Sequence, residues 1–164
     1  MNTTEKAPPA GPAGESEVYL PDVTVAALVL DAGRLLLVEE DVRGEVVINQ
    51  PAGHLEPEES LADAMVRECL EETGWSVEPT GLVGIYQWID PHTRRQYLRV
   101  AFSARPMDHD PGAPLDAGIV RALWLTPEEL RRCSDRHRSP LVMRAAQDFL
   151  DGRSFPLSAA NWLA

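Results

Sequence analysis

Residues 51–77 read PAGHLEPEESLADAMVRECLEETGWSV, and this stretch decides the fold. Between Glu59 and Gly74 the pattern predicts one helix. Ser60 can cap its first turn, with the acid Asp63 three positions on, and Gly74 supplies the left-handed residue that commonly closes a helix. Leu61, Met65, Cys69 and the methyl of Thr73 recur every four residues and form an apolar stripe for packing.

Glu68, Glu71 and Glu72 lie three and four apart, so their carboxylates share one side of this helix. Crowded like charges cost stability unless neutralised. A hard divalent cation with oxygen ligands is the natural neutraliser. Such ions hold phosphates and acidify a bound water so that it can attack phosphorus. Arg67, four residues before Glu71, can pair with it. A solvated acidic helix is the plainer reading. Against it stands the preceding loop, PAGHLEPEE, whose prolines and glycine are poor helix material. That loop lets the carbonyl of Ala52 or Gly53 approach the same ion.

Gly53, Glu59, Arg67, Glu68, Glu71, Glu72 and Gly74 together match Gly-x5-Glu-x7-Arg-Glu-U-x-Glu-Glu-x-Gly-U, where U is bulky and apolar. This segment resembles the Nudix box with every fixed residue in place. At ordinary residue frequencies such a match arises by chance less than about once in a million sequences. Two U positions depart mildly: Cys69 is small, and Trp75 is larger than usual.

The remaining composition agrees. A length of 164 residues suits one domain, with 18–164 as that domain behind a disordered tail at 1–17, MNTTEKAPPAGPAGESE. Fifteen basic against 26 acidic residues give a formal net charge of −11. No basic field exists to hold a nucleic-acid backbone. Two cysteines, Cys69 and Cys133, are too few for a disulfide framework. Neither a signal peptide nor an apolar run of membrane-spanning length is visible. The expectation is a cytoplasmic protein with no nucleic-acid or membrane partner, a monomer or homodimer.

Along the chain, 22–30 (DVTVAALVL) reads as a central strand covered on both faces. A turn at 31–34 leads to a second arm over 35–39, and a turn around Gly44 to a short strand at 46–49. Strands follow at 82–89 and 97–104, a loop at 105–117 and a strand at 119–125. Helices start at Thr126-Pro127 and at Ser139-Pro140, where a capping residue precedes proline at the first helical position. Alone, this order supports an α/β layered domain. The resemblance implies a particular one: a Nudix-like α/β/α sandwich with a mixed β-sheet and a loop–helix–loop catalytic motif.

Beyond the box, VTVAALVL, LLLVEE, NQPAGHLE, Gln87-Trp88, LRVAF, RSPLV at 138–142 and FPL at 155–157 are similar to one Nudix subgroup, the NudJ-type phosphatases. The resemblance implies removal of terminal phosphate from nucleoside tri- and diphosphates, and action on hydroxymethylpyrimidine pyrophosphate. It implies Glu68 and Glu72 as direct ligands of Mg²⁺ or Mn²⁺, Glu71 as a ligand directly or through water, and a carbonyl of Ala52 or Gly53 as a neutral ligand. By the same resemblance Arg67 orients the glutamates and Glu59 holds Arg67. A further acid outside the box is expected near the site: Asp116, with Glu39 and Glu40 as rivals. Substrate contacts are expected from Gln50, Trp88, Tyr97 and Arg99, where Trp88 can stack on a base and Arg99 can hold a phosphate. Asn49 is a further candidate for polar base edges. Other Nudix substrates, such as a dinucleoside polyphosphate or an oxidised nucleotide, stay open, as does a nucleotide-sensing domain without catalysis.

Overall fold

The computed structural model describes residues 19–163, so the expected tail over 1–17 lies outside the described residues. Seven strands are connected: β1 (Asp22–Asp31), β2 (Arg34–Val42), β3 (Glu45–Asn49), β4 (Ala52–His54), β5 (Trp75–Ile89), β6 (Gln96–His109) and β7 (Ile119–Leu125). The three α-helices are α1 (Leu61–Thr73), α2 (Pro127–Arg132) and α3 (Pro140–Leu150).

The path runs β3-β2-β1-β6-β5, with β4 also on β1 and β7 also on β2. β1 and β2 pair only beside their turn, at Leu30↔Leu35 and Asp31↔Arg34. The sheet therefore opens into two wings. In one, β1 runs parallel to β6 and antiparallel to β4. In the other, β2 lies between β3 and β7, both antiparallel. The splayed gap between the wings is where the cleft forms.

Alternation along β1 builds both layers of the sandwich. Val25, Ala27 and Val29 pack with Ala64, Met65 and Cys69 of α1. Ala26 and Leu28 pack with Leu130 of α2 and with Val142, Ala145 and Ala146 of α3. This is the physical meaning of an uninterrupted apolar strand: neither of its faces reaches water.

Strands β5 and β6 run longer than their sequence suggests. Pro79, Gly81 and Gly84 look like strand breakers, but register shifts beside them absorb the irregularity and the ladder with β6 continues. Likewise β6 carries Pro106 opposite Val77 and ends at His109, so the loop expected from 105 begins later. β4 is a further addition, three residues inside what reads as a loop.

Candidate active site

α1 forms where its caps place it. Ser60 Oγ accepts the Asp63 N–H at 3.1 Å, and Gly74 adopts φ 70° with its N–H donating to the Leu70 carbonyl. Met65, Cys69 and Thr73 are buried, so the apolar stripe anchors the helix. Packing that stripe turns Glu68 and Glu72 toward β4, where both are largely buried as well.

Arg67 is the hub. Its guanidinium holds both oxygens of Glu59, at 3.0 and 2.7 Å. It also donates to Glu68 at 2.8 Å, to Glu71 at 3.1 Å and to the His54 carbonyl at 3.1 Å. Glu59 in turn accepts the Glu56 N–H at 2.7 Å, which fixes the loop. The planar fork of arginine permits this many directed bonds at once. Beside so strong a cation the Glu59 carboxyl is held below the usual range.

Glu72 behaves oppositely. Burial pushes its carboxyl up to about 8, with Glu68, Glu40 and Asp116 as like charges nearby, against the stabilising Ala52 N–H at 2.8 Å. Burial likewise raises Glu68. Gly53 lies directly against Glu68: a Cβ at position 53 would overlap the Glu68 carboxyl group in its present position.

The β1–β4 ladder sorts the loop carbonyls. Leu55 N–H donates to Val23 and Ala27 N–H donates to the Pro51 carbonyl, which makes Val25↔Gly53, midway between, a hydrogen-bonded pair. The Gly53 carbonyl is thus committed to β1. Ala52 and His54 face the other way, as their contacts with Glu72 and Arg67 show. Of the two carbonyls expected to approach an ion, geometry leaves Ala52.

Among the described residues no three acidic, cysteine or histidine side chains already converge as a metal cage. The reason is visible: Glu68 and Glu71 are turned onto Arg67, and Glu72 onto Ala52. The donor set nonetheless fits a hard cation, since it is all oxygen, carries excess negative charge and flanks an outward-facing carbonyl.

These groups line one end of a cleft of about 450 Å³. Trp88, Tyr97, Arg99 and Asp116 line it too. Trp88 and Tyr97 are register partners whose rings stack at 5.7 Å and 24°. Arg99 is buried, and Asp116 is exposed at the rim with its backbone N–H on the Glu71 carbonyl at 3.0 Å. Two residues do not join them. Gln50 is fully buried with its amide on the Val142 carbonyl at 2.7 Å, so it ties β3 to α3 and does not line the cleft. Glu39 is clamped by Arg121 and Arg136, both at 2.6 Å, outside the cleft, whereas Glu40 lines it. Sequence reading missed Thr24, Arg138 and Ser139 as lining residues. All three lay inside segments similar to the subgroup, Thr24 in VTVAALVL and Arg138 and Ser139 at the start of RSPLV, but nothing in those segments pointed to the cleft.

A mixed sheet between helices, with clustered glutamates on a loop–helix–loop beside an open cleft, is an arrangement suited to a hard cation and to the phosphate group such an ion holds. The NUDIX domain model matches residues 20–145. Over 148 residues the chain is 38% identical to Phosphatase NudJ of Escherichia coli strain K12, covering 88% of this chain and 95% of that protein. A NUDIX hydrolase from Nitrosomonas europaea superposes with a TM-score of 0.86 at 46% identity, covering 88% of this chain and 98% of that one. A bifunctional NMN adenylyltransferase/ADP ribose pyrophosphatase from Francisella tularensis, complexed with AMP and a Mn ion, shares the fold at TM-score 0.66 and 20% identity over 85% of this chain and 44% of that one. The chain belongs to the Nudix family: it is a Nudix hydrolase, an enzyme that cleaves phosphoanhydride bonds in small nucleotide-linked molecules.

Proposed function

We propose that this enzyme releases terminal phosphate from nucleoside tri- and diphosphates and from hydroxymethylpyrimidine pyrophosphate, in the cytoplasm, with Mg²⁺ as its working ion and Mn²⁺ as a substitute. The observation that carries the reading is the buried Glu68–Glu72 pair lining the cleft, Glu68 against Gly53 and Glu72 on the Ala52 N–H. The named relatives at 38% identity are phosphatases, which supports terminal release.

Glu68, Glu72, Glu71 and the Ala52 carbonyl would hold the ion, with Glu68 and Glu71 leaving Arg67 to do so. When bound, the ion acidifies a water and offsets charge on the phosphate. Arg67 and Glu59 orient the carboxylates. Asp116, which lines the cleft, would accept the proton of the attacking water, with Glu40 in the same cleft as the alternative. Trp88 and Tyr97 offer a stacked aromatic surface for a ring. Arg99 supplies hydrogen-bond donors at the floor.

The test is phosphate release from a panel of nucleoside tri- and diphosphates and hydroxymethylpyrimidine pyrophosphate with Mg²⁺, for wild type and Glu72→Gln. Orthophosphate release by wild type, lost in the variant, is expected. Pyrophosphate release instead would overturn terminal cleavage, and would favour another nucleoside-diphosphate-linked substrate.

A further inference from the structure

Arg99 is a buried guanidinium whose environment uses little of it. NH1 donates to Asn49 Oδ1 at 3.3 Å, and Nε has no partner. Thr24 is its register partner on β1, and the Thr24 hydroxyl is also buried without one. Both atoms are closed off from the cleft, so any contact that Arg99 makes with a ligand falls to its terminal nitrogens.

Asn49 completes the arrangement. Its Nδ2 donates to Glu40 Oε1 at 3.2 Å, while its Oδ1 accepts from Arg99. The amide is therefore spent on its neighbours. It is a positioning residue that holds a donor, Arg99, and an acceptor, Glu40, in one rigid row on the cleft floor. Glu40 keeps its second oxygen, Oε2, out of any hydrogen bond among the described residues, and Arg138 lies 3.5 Å from the first.

Two kinds of ligand offer partners to Arg99. A phosphate would satisfy it but would be set beside the fixed carboxylate of Glu40, and like charges repel in a partly buried site. A heteroaromatic ring edge carrying an acceptor next to an N–H donor satisfies both side chains. The stacked Trp88–Tyr97 pair lines the same cleft and offers such a ring a face to lie on.

We infer that Glu40 and Arg99, aligned by Asn49, are specificity-determining residues that read the hydrogen-bonding edge of a nucleobase-type ring in the retained part of the substrate. This deepens the proposed function and rests on the cleft being the substrate site. It changes the role of Arg99 from phosphate holder to ring reader.

The experiment compares two ligands that contain no phosphoanhydride: nucleoside 5′-monophosphates and ribose 5-phosphate, which has the same sugar phosphate without a base. Calorimetric Kd values are measured with Mg²⁺ for wild type, Glu40→Gln and Arg99→Lys, with melting curves to verify folding. Wild type is expected to prefer at least one monophosphate over ribose 5-phosphate by tenfold or more. Both variants should reduce that preference below threefold while the ribose 5-phosphate Kd stays within twofold. Glu40→Gln keeps shape and hydrogen bonding to Asn49, so it covers the case in which Arg99→Lys fails to fold. Equal weakening of both ligands would show a phosphate site and overturn the inference. So would an unchanged preference, or none in wild type. Phosphoanhydride hydrolysis by wild type is scored separately, so loss of ring reading with hydrolysis intact sinks this inference alone.

Discussion

Gly53 lies against the Glu68 carboxyl group so closely that even a methyl at position 53 would overlap it. Gly53→Ala must therefore move Glu68, β4 or both. Displacing a catalytic group by about 1 Å costs on the order of a hundredfold in rate. That loss is expected in kcat, with a far smaller change in melting temperature than a core truncation causes. Normal activity in Gly53→Ala would show that Glu68 moves aside without consequence for the reaction.

Arg67 spreads its donors over Glu59, Glu68, Glu71 and a backbone carbonyl. Lysine keeps the charge and loses the fork. Arg67→Lys is expected to lower activity by about a hundredfold and to weaken Mg²⁺ binding measured by calorimetry. An activity loss with unaltered ion binding would argue that Arg67 acts on the substrate directly.

With metal removed by chelation, Glu72 makes stability depend on pH. Its folded-state value of about 8 stands above the 4.5 of a free glutamate, so the folded chain binds the proton more tightly than the unfolded one. The contribution is fully present below about pH 4.5 and is lost as pH rises toward 8. Melting temperature of the chelated enzyme should fall across that window, and Glu72→Gln should flatten the fall. Mg²⁺ should restore stability most at the alkaline end, where it no longer competes with the proton. A chelated melting curve that is equally pH-dependent in Glu72→Gln would assign the effect elsewhere.

Two acids outside the helix separate by what they touch. Glu39 meets only Arg121 and Arg136 in its ion pairs, and both arginines are substantially exposed, so solvent screens the pairs. Glu39→Gln should cost about 1–2 kcal/mol of stability, a shift of a few degrees, with kcat within twofold. Asp116→Asn should leave the melting temperature unchanged and lower kcat by about a hundredfold or more. A reversed pattern would place the proton acceptor on β2.

Much of the site was legible because helical spacing is local. Caps at Ser60 and Gly74, the buried stripe at Met65, Cys69 and Thr73, and the clustering of Glu68, Glu71 and Glu72 all follow from residues within a few turns of one another. The two-sided burial of β1 was legible for a similar reason, since an unbroken apolar strand has nowhere to go but between layers. Only the second half of β5, 82–89, was legible, because Pro79 and Gly81 signal a break that the long partner strand overrides through bulges.

By itself, then, the sequence determined the set of acids on α1 through spacing along one segment and an α/β layered domain through element order, while the family and its sandwich came through the resemblance that the spacing carries. Tertiary structure alone decided which loop carbonyl stays open, that Gln50 props α3 instead of meeting the cleft, and that Glu40 and not Glu39 faces it. Those outcomes depend on register between strands far apart in the chain. Adjacent residues in a strand point to opposite faces, so a shift of one place exchanges a residue in the site for one in the scaffold.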